Sequence, residues 1–313
     1  MPPTLNPVAP SFLDFPLHTD LASLDAHIAI IGLPHGDPYP GEPDPNDQSN
    51  APAAIRRESG RLVLGLDHWD FDLDGPLLDE RSIRVVDCGD VPRHPDGARG
   101  HYAVAEQALR TILARGALPL VLGGDHGIPI PVFRALADHG PVTLVQVDAH
   151  LDWRDEVGGV REGYSSPMRR ASELDHMGEI FQIGLRAQGS ARAREVRDAR
   201  NHGASLITAY EVHEQGMDTV LARIPDGGRY YLTIDADGLD PAVMPAVAGP
   251  APGGLSFAQV RRLIHGLIGK GRLLGMDIVE ITPARDLNGI SSLTAGQLLL
   301  NAMGGAVRAG YFS

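Results

Sequence analysis

The tightest constraint on the fold is a spacing. Eight short runs rich in β-branched residues and leucine, each four to six residues long, recur along the chain, separated mostly by stretches of helical length. They cover residues 28–32, 83–88, 119–122, 142–147, 180–184, 205–208, 230–234 and 274–279. Being apolar without alternation, they read as strands buried on both faces, as in a parallel sheet. Helical patterns fall at 51–59, 101–115, 131–139, 191–201, 212–223, 256–267 and 294–308. The class is therefore α/β. With no internal repeat and no long polar linker, the reading is one domain over 27–313, preceded by a Pro-rich arm over 1–26 that crosses the domain surface.

Two connections are unusual. Residues 36–50 hold four Pro and four acids, which excludes helix and central strand. Residues 152–166 are also long and contain glycine. Connections of such length in a compact domain are often functional.

Ligands in α/β sheets gather at the carboxyl ends of strands. The run 119–122 is followed by Gly123-Gly124-Asp125-His126, and 142–147 by Asp148-Ala149-His150-Leu151-Asp152. The run 230–234 leads into Asp235-Ala236-Asp237-Gly238-Leu239-Asp240, and 274–279 into Glu280. In extended chain, alternate residues share a face, so Asp148, His150 and Asp152 converge, as do Asp235 and Asp237. With His126 this makes two His and four Asp. Four carboxylates in one pocket repel unless cations balance them, and two divalent ions supply +4 against −4. That arithmetic favours a binuclear centre over a lone ion. Oxygen and imidazole donors without sulfur favour Mn²⁺ first, with Ni²⁺ as the alternative. Metals roughly 3.5–4 Å apart can hold a bridging water as hydroxide near neutral pH. Taken singly, each motif also has a structural use: His126 as a helix-start residue, Asp235 or Asp240 as a turn brace.

Composition removes other classes. Asp and Glu number 40 against 27 Lys and Arg, a net charge of −13. Such a polyanion suits small cations and is a poor binder of nucleic acid or anionic membrane. The one cysteine, Cys88, excludes an intrachain disulfide framework and reads as buried filler. Neither a long apolar run nor a basic-then-apolar leader is present, which gives the expectation of a cytoplasmic protein.

The segments GGDHG (123–127), DAHLD (148–152) and DADGLDP (235–241), in this order, resemble the signature set of the ureohydrolase (arginase/agmatinase) family. PAPGGLSF (250–257), GMDIVEITPARD (275–286), IGLP, NAPAAIRRES and IGLR (183–186) extend the resemblance over about residues 25–310. It implies a three-layer α/β/α fold with an eight-stranded, mainly parallel sheet, and homo-trimers or homo-hexamers, a mixed hexamer included. It implies that His126, Asp148, Asp152 and Asp235 bind one or both metals, completed by His150 and Asp237. Asp235 and one of Asp148 or Asp152 would bridge. Glu280 matches the carboxylate that pairs with a substrate guanidinium, and Asp152 is the candidate proton relay. The implied reaction is hydrolysis of a guanidino compound to an amine plus urea, by attack of metal-bridging hydroxide on the guanidinium carbon.

The sequence departs from the family pattern in substrate-facing segments. Tyr164 stands where an acid/base or substrate-contacting His is usual, and a phenol with pKa near 10 is a weaker proton shuttle than imidazole near 6.5. Trp153-Arg154-Asp155 replace small polar residues, so Trp153 is expected to reshape the pocket. Residues 246–250 are more apolar than the pattern, and the acidic loop 36–50 is longer. Arg154, Arg161 and Arg186 are candidates to recognise a substrate carboxylate, with surface ion pairing the ordinary alternative. The expected substrate is a small or alkylated guanidine or a linear guanidino amine or acid, ahead of arginine. Two competing readings stand beside this: an assembly-only or partner-dependent subunit of a mixed hexamer, and a deacetylase-like metal amide hydrolase.

Overall fold

A computed structural model describes residues 2–42 and 47–312. All eight expected strands form, as β1 Ile28–Gly32, β2 Val85–Asp90, β3 Leu118–Leu122, β4 Val142–Val147, β5 Met177–Leu185, β6 Ser205–Thr208, β7 Arg229–Asp235 and β8 Arg272–Val279. They make one sheet in the order β2-β1-β3-β8-β7-β4-β5-β6, every pairing parallel. A small antiparallel ribbon pairs Trp69–Asp70 with Gly75–Pro76, an element without a signal in the pattern.

The strands lack polar alternation because both faces of the sheet are covered. In β1, Ile28 and Ile30 join a core with Ile55, Leu263 and Leu298, from α1 Ala51–Ser59, α8 Phe257–Lys270 and α9 Ile290–Arg308. Ala29 and Ile31 join a second core with Leu109, Ile112 and Phe133, from α2 Ala98–Ala114 and α3 Pro129–Ala135. The short α4 Pro167–Ala171, also not expected, and α5 Ala193–His202 lie on the second side, while α6 Ala209–Gln215 and α7 Met217–Arg223 lie on the first. Helix, sheet and helix make three layers.

Local chemistry sets the helix limits. Ser256 caps α8 through a reciprocal pair with Gln259. The single helix expected over 212–223 is two, α6 and α7, because Gly216 stands at φ 82°, a left-handed value that a helix interior does not admit.

The arm over 1–26 does more than cross a surface. Asn6 exchanges both backbone hydrogen bonds with Asp90, and His18 N donates to Asp87 O. These bonds seal the β2 edge of the sheet, while Phe12 and Leu21 are wholly buried. Residues 43–46, the middle of the acidic 36–50 loop, lie outside the described residues. Among the described residues no helix is long and apolar enough to cross a membrane.

Candidate metal centre

The four central strands, β3, β8, β7 and β4, are adjacent and end on one side of the sheet. Their carboxyl ends carry the acids and His singled out in the sequence. Gly124 permits the first turn, since a Cβ there would sit 1.6 Å from the carbonyl oxygen of His35. Asp125 N donates to that same oxygen, and Glu280 N donates to Gly124 O, which locks the ends of β3 and β8 together.

His126 is buried, and its Nδ1 faces three carboxylates: Asp148 at 3.1 Å, Asp152 at 2.9 Å and Asp235 at 3.0 Å. On the other side of Asp148, His150 Nδ1 lies 3.5 Å from its Oδ1 and 3.0 Å from Asp237 Oδ2. His126, Asp148 and Asp152 form one potential ligand cluster, and Asp148, His150 and Asp237 a second, so the two share Asp148. All six residues therefore converge, as does Glu280 beside them. The extended-chain alternation is not what brings them together. β4 ends at Val147, and Asp152 adopts φ 50°, so the segment turns back on itself. Asp235 closes β7, and its Oδ1 accepts from Asp237 N in a 3₁₀ turn. Asp240 is a brace, its carboxylate accepting from the backbone of Ala242, Gly253 and Gly254.

The chemistry of this donor set fits cations. Thr233 spends its one hydroxyl proton on Asp277 at 2.6 Å, so it can only accept from His126 Nε2, 3.2 Å away. That hydrogen bond assigns the ring proton to Nε2 and leaves Nδ1 as a lone pair, buried and without a hydrogen bond of good geometry. A lone pair among three carboxylates is repelled until positive charge stands between them. Burial pulls the His126 pKa down, but its three acidic neighbours more than offset this and raise it well above 6.5. A proton is thus the smallest cation that answers the cluster. Two imidazolium ions would balance two of four negative charges; two divalent ions balance all four.

Asp152, Asp235 and Glu280 shift upward as well, whereas Asp148, despite its burial, is held below its ordinary value by His126 and His150. Burial, then the charge of Asp148, pushes Asp152 up to about 7. Burial, then the charges of Asp237 and Asp148, raises Asp235 well above its ordinary value. Glu280 is pushed up to about 8 by burial and then Asp125, even though Gln48 Nε2 and His126 N donate to its two oxygens at 2.9 and 2.7 Å.

Above the cluster lies a cavity of about 260 Å³. His126, His150, Asp152, Asp235, Asp237 and Glu280 line it together with Tyr164, Ser165, Ser190, Ala248 and Gly249. Tyr164 does reach the site, as its position in the sequence suggested. Its hydroxyl donates to Glu42 Oε1 at 2.5 Å, and burial, then Glu42, raises its pKa. Trp153 does not reshape the cavity. The turn at Asp152 sends it into the second core, 5.7 Å from the His202 ring. Nor do the three arginines reach it. Arg154 faces Glu195 and Arg161 faces Asp155, while Arg186 donates to the carbonyls of Gly184, Asp237, Leu239 and Ala251.

Sequence reasoning missed Gln48, Glu42, Thr233 and Asp277. The last two had a usable signal, a hydroxyl and an acid inside apolar strands, where a buried charge needs partners. Tyr231 and Thr233 supply them, at 2.7 and 2.6 Å. Gln48 and Glu42 had none, being polar residues in a polar loop.

Comparison with known proteins gives a consistent result. The family model described as "Arginase: Arginase family" matches residues 26–305. A guanidinobutyrase of Pseudomonas aeruginosa is 38% identical over 224 residues, 70% of each chain. A guanidinopropionase of the same organism is 32% identical over 94% of this chain and 90% of its own. Among solved structures, proclavaminate amidino hydrolase from Streptomyces clavuligerus superposes with a TM-score of 0.80 at 29% identity, covering 97% of this chain and 98% of that one.

Proposed function

The chain belongs to the arginase family, and from that premise we propose that it hydrolyses a guanidino compound to an amine plus urea at a binuclear metal centre. The observation that carries the binuclear reading is the division of Asp148 between two clusters, one oxygen toward His126 and the other toward His150. His126, Asp148, Asp152 and Asp235 would hold one ion, and Asp148, His150 and Asp237, with Asp235 between, the other. When bound, two divalent ions supply Lewis acidity and an activated water. Oxygen and imidazole donors suit Mn²⁺ first and Ni²⁺ second.

The chain's own residues supply the rest. Glu280 projects its carboxylate beside the cluster, held by His126 N and Gln48, so a planar guanidinium pairing with it lies over the cluster. Asp152 lines the cavity beside the cluster, placed to carry a proton to the departing amine. Tyr164 has its proton committed to Glu42, so it forms wall and hydrogen-bond acceptor, not a shuttle.

The test is urea release from Mn²⁺- and Ni²⁺-loaded protein across guanidine, alkylguanidines, agmatine, guanidino acids and arginine, with metal content measured in parallel. Urea from one compound, abolished by Asp148→Asn, supports the reading. No urea and no bound metal would sink it and favour an assembly-only subunit.

A further inference from the structure

Apart from the two histidines of the metal cluster, the charged side chains of the cavity wall are all acids. Among the described residues that line it there is no lysine or arginine. Arg154, Arg161 and Arg186 are engaged elsewhere, and the sequence over 37–50 contains no basic residue. The uncharged part of the wall is Ser165, Ser190, Ala248 and Gly249.

Glu42 adds a fixed negative charge one hydroxyl away from this space. Its Oε1 accepts from Tyr164 at 2.5 Å, and its Oε2 accepts from Tyr39 N at 3.0 Å. Tyr39 is itself buried, its hydroxyl accepts from Ser165 N at 2.9 Å, and its ring packs 4.4 Å from that of Tyr164, tilted by 46°. The Tyr164 hydroxyl and the Tyr39 backbone amide thus hold the exposed Glu42 carboxylate in place. The same hydrogen bond decides the polarity of Tyr164. A phenol has one proton, and this one points away from the cavity, leaving only lone pairs toward a ligand. An incoming carboxylate would meet an acceptor, with Glu42 behind it and Glu280 across the cavity.

We propose that Glu42, acting through Tyr164, is a specificity-determining residue that rejects guanidino acids, and that the substrate is a guanidine whose tail carries no carboxylate. The inference rests on the amidinohydrolase reading above and narrows it. Discrimination arises from a repulsive element as much as from an attractive one: an uncompensated acid at the wall destabilises the wrong complex without strengthening the right one. A tail that is neutral or a hydrogen-bond donor meets no such penalty.

The experiment compares kcat/KM for methylguanidine and agmatine with that for 3-guanidinopropionate and 4-guanidinobutyrate, using full-length metal-loaded protein. The readout is the ratio of acid to non-acid substrate, which cancels any general loss of activity in a variant. The ratio is expected to be low in the natural chain. Glu42→Gln is expected to raise it roughly fivefold to tenfold, the scale of one partly screened charge. Glu42→Asp, which keeps the charge, is expected to leave it low. Guanidino acids turned over as efficiently as methylguanidine would overturn the proposal while leaving amidinohydrolase function intact. A ratio unmoved by Glu42→Gln would remove Glu42 from the role. Urea from no compound at all would overturn the broader reading and this one with it.

Discussion

Asp148 turns its two carboxylate oxygens in opposite directions, Oδ2 to His126 Nδ1 at 3.1 Å and Oδ1 to His150 Nδ1 at 3.5 Å. One wholly buried side chain therefore belongs to both ligand clusters. The expected consequence is asymmetry among ligand variants. Asp148→Ala should strip both ions and lower urea production by about three orders of magnitude or more, as loss of a polarising centre does. Asp237→Ala, which touches one cluster, should retain the ion on the His126 side. Metal analysis after exhaustive dialysis distinguishes them, and equal stoichiometry in the two variants would refute the shared role.

Behind His126, Thr233 and Asp277 form a buried chain that fixes which ring nitrogen faces the cluster. Such partners of a metal-binding imidazole typically contribute 10–100-fold in metal affinity. Thr233→Val, nearly isosteric, should therefore weaken binding on the His126 side by about that factor with the fold unchanged. Thr233→Ser should restore it. Competition against a metal indicator measures both, and an affinity unaltered in Thr233→Val would mean the ring is held by packing alone.

The sheet and the six-residue cluster were legible for one reason: both are consequences of local pattern. Ile28–Gly32 is apolar at every position because helices cover it on both sides, and acids following four such runs are brought together by the strand ends. What was not legible depends on dihedral angles or on long-range contact. A positive φ at Asp152 sends Trp153 into the core, whereas its place directly after the DAHLD motif points to the pocket. Glu42 meets Tyr164 across 122 residues, and Gln48 meets Glu280 across 232, distances at which a polar loop gives no hint of its partner. Glu280 itself sits at φ 65°. Strain of that kind at two site residues is the price of presenting both carboxylates to one cavity.

Arg56 supports the fold, not the chemistry. It is 1% exposed and forks onto Asp87, Nε at 2.8 Å and Nη2 at 2.9 Å, while Nη1 reaches Asp90 at 2.6 Å. Asp87 also accepts from Phe12 N, so the same cluster fastens the N-terminal arm. Arg56→Ala would leave two acids without their counter-ion, a change that costs about 3–5 kcal/mol when a buried pair loses one partner. Arg56→Lys should recover only part of this, because an ammonium cannot reproduce the planar fork. Urea denaturation midpoints test the order wild type, lysine, alanine; an alanine variant as stable as wild type would show the cluster to be dispensable.

Cys88 tests whether the arm stays closed. It lies in β2, wholly buried, at the sheet edge that residues 2–26 cover. Burial, then the charge of Asp87, pushes its thiol up to about 12, against a partial offset by Arg56. A raised thiol pKa means the protonated, unreactive form dominates at every pH below that value. The native protein should accordingly show almost no reaction with a disulfide reagent at pH 8, and one equivalent in denaturant, where the thiol returns to its ordinary range near 8.5. Arg56→Ala should speed the native reaction, because loosening the Asp87 cluster weakens the arm's backbone pairing to β2, and the arm's Leu5 and Leu21 share the core of Cys88. A fast native reaction in the unaltered chain would instead mean that the arm peels from β2 at equilibrium, and that this edge of the sheet is open for much of the time.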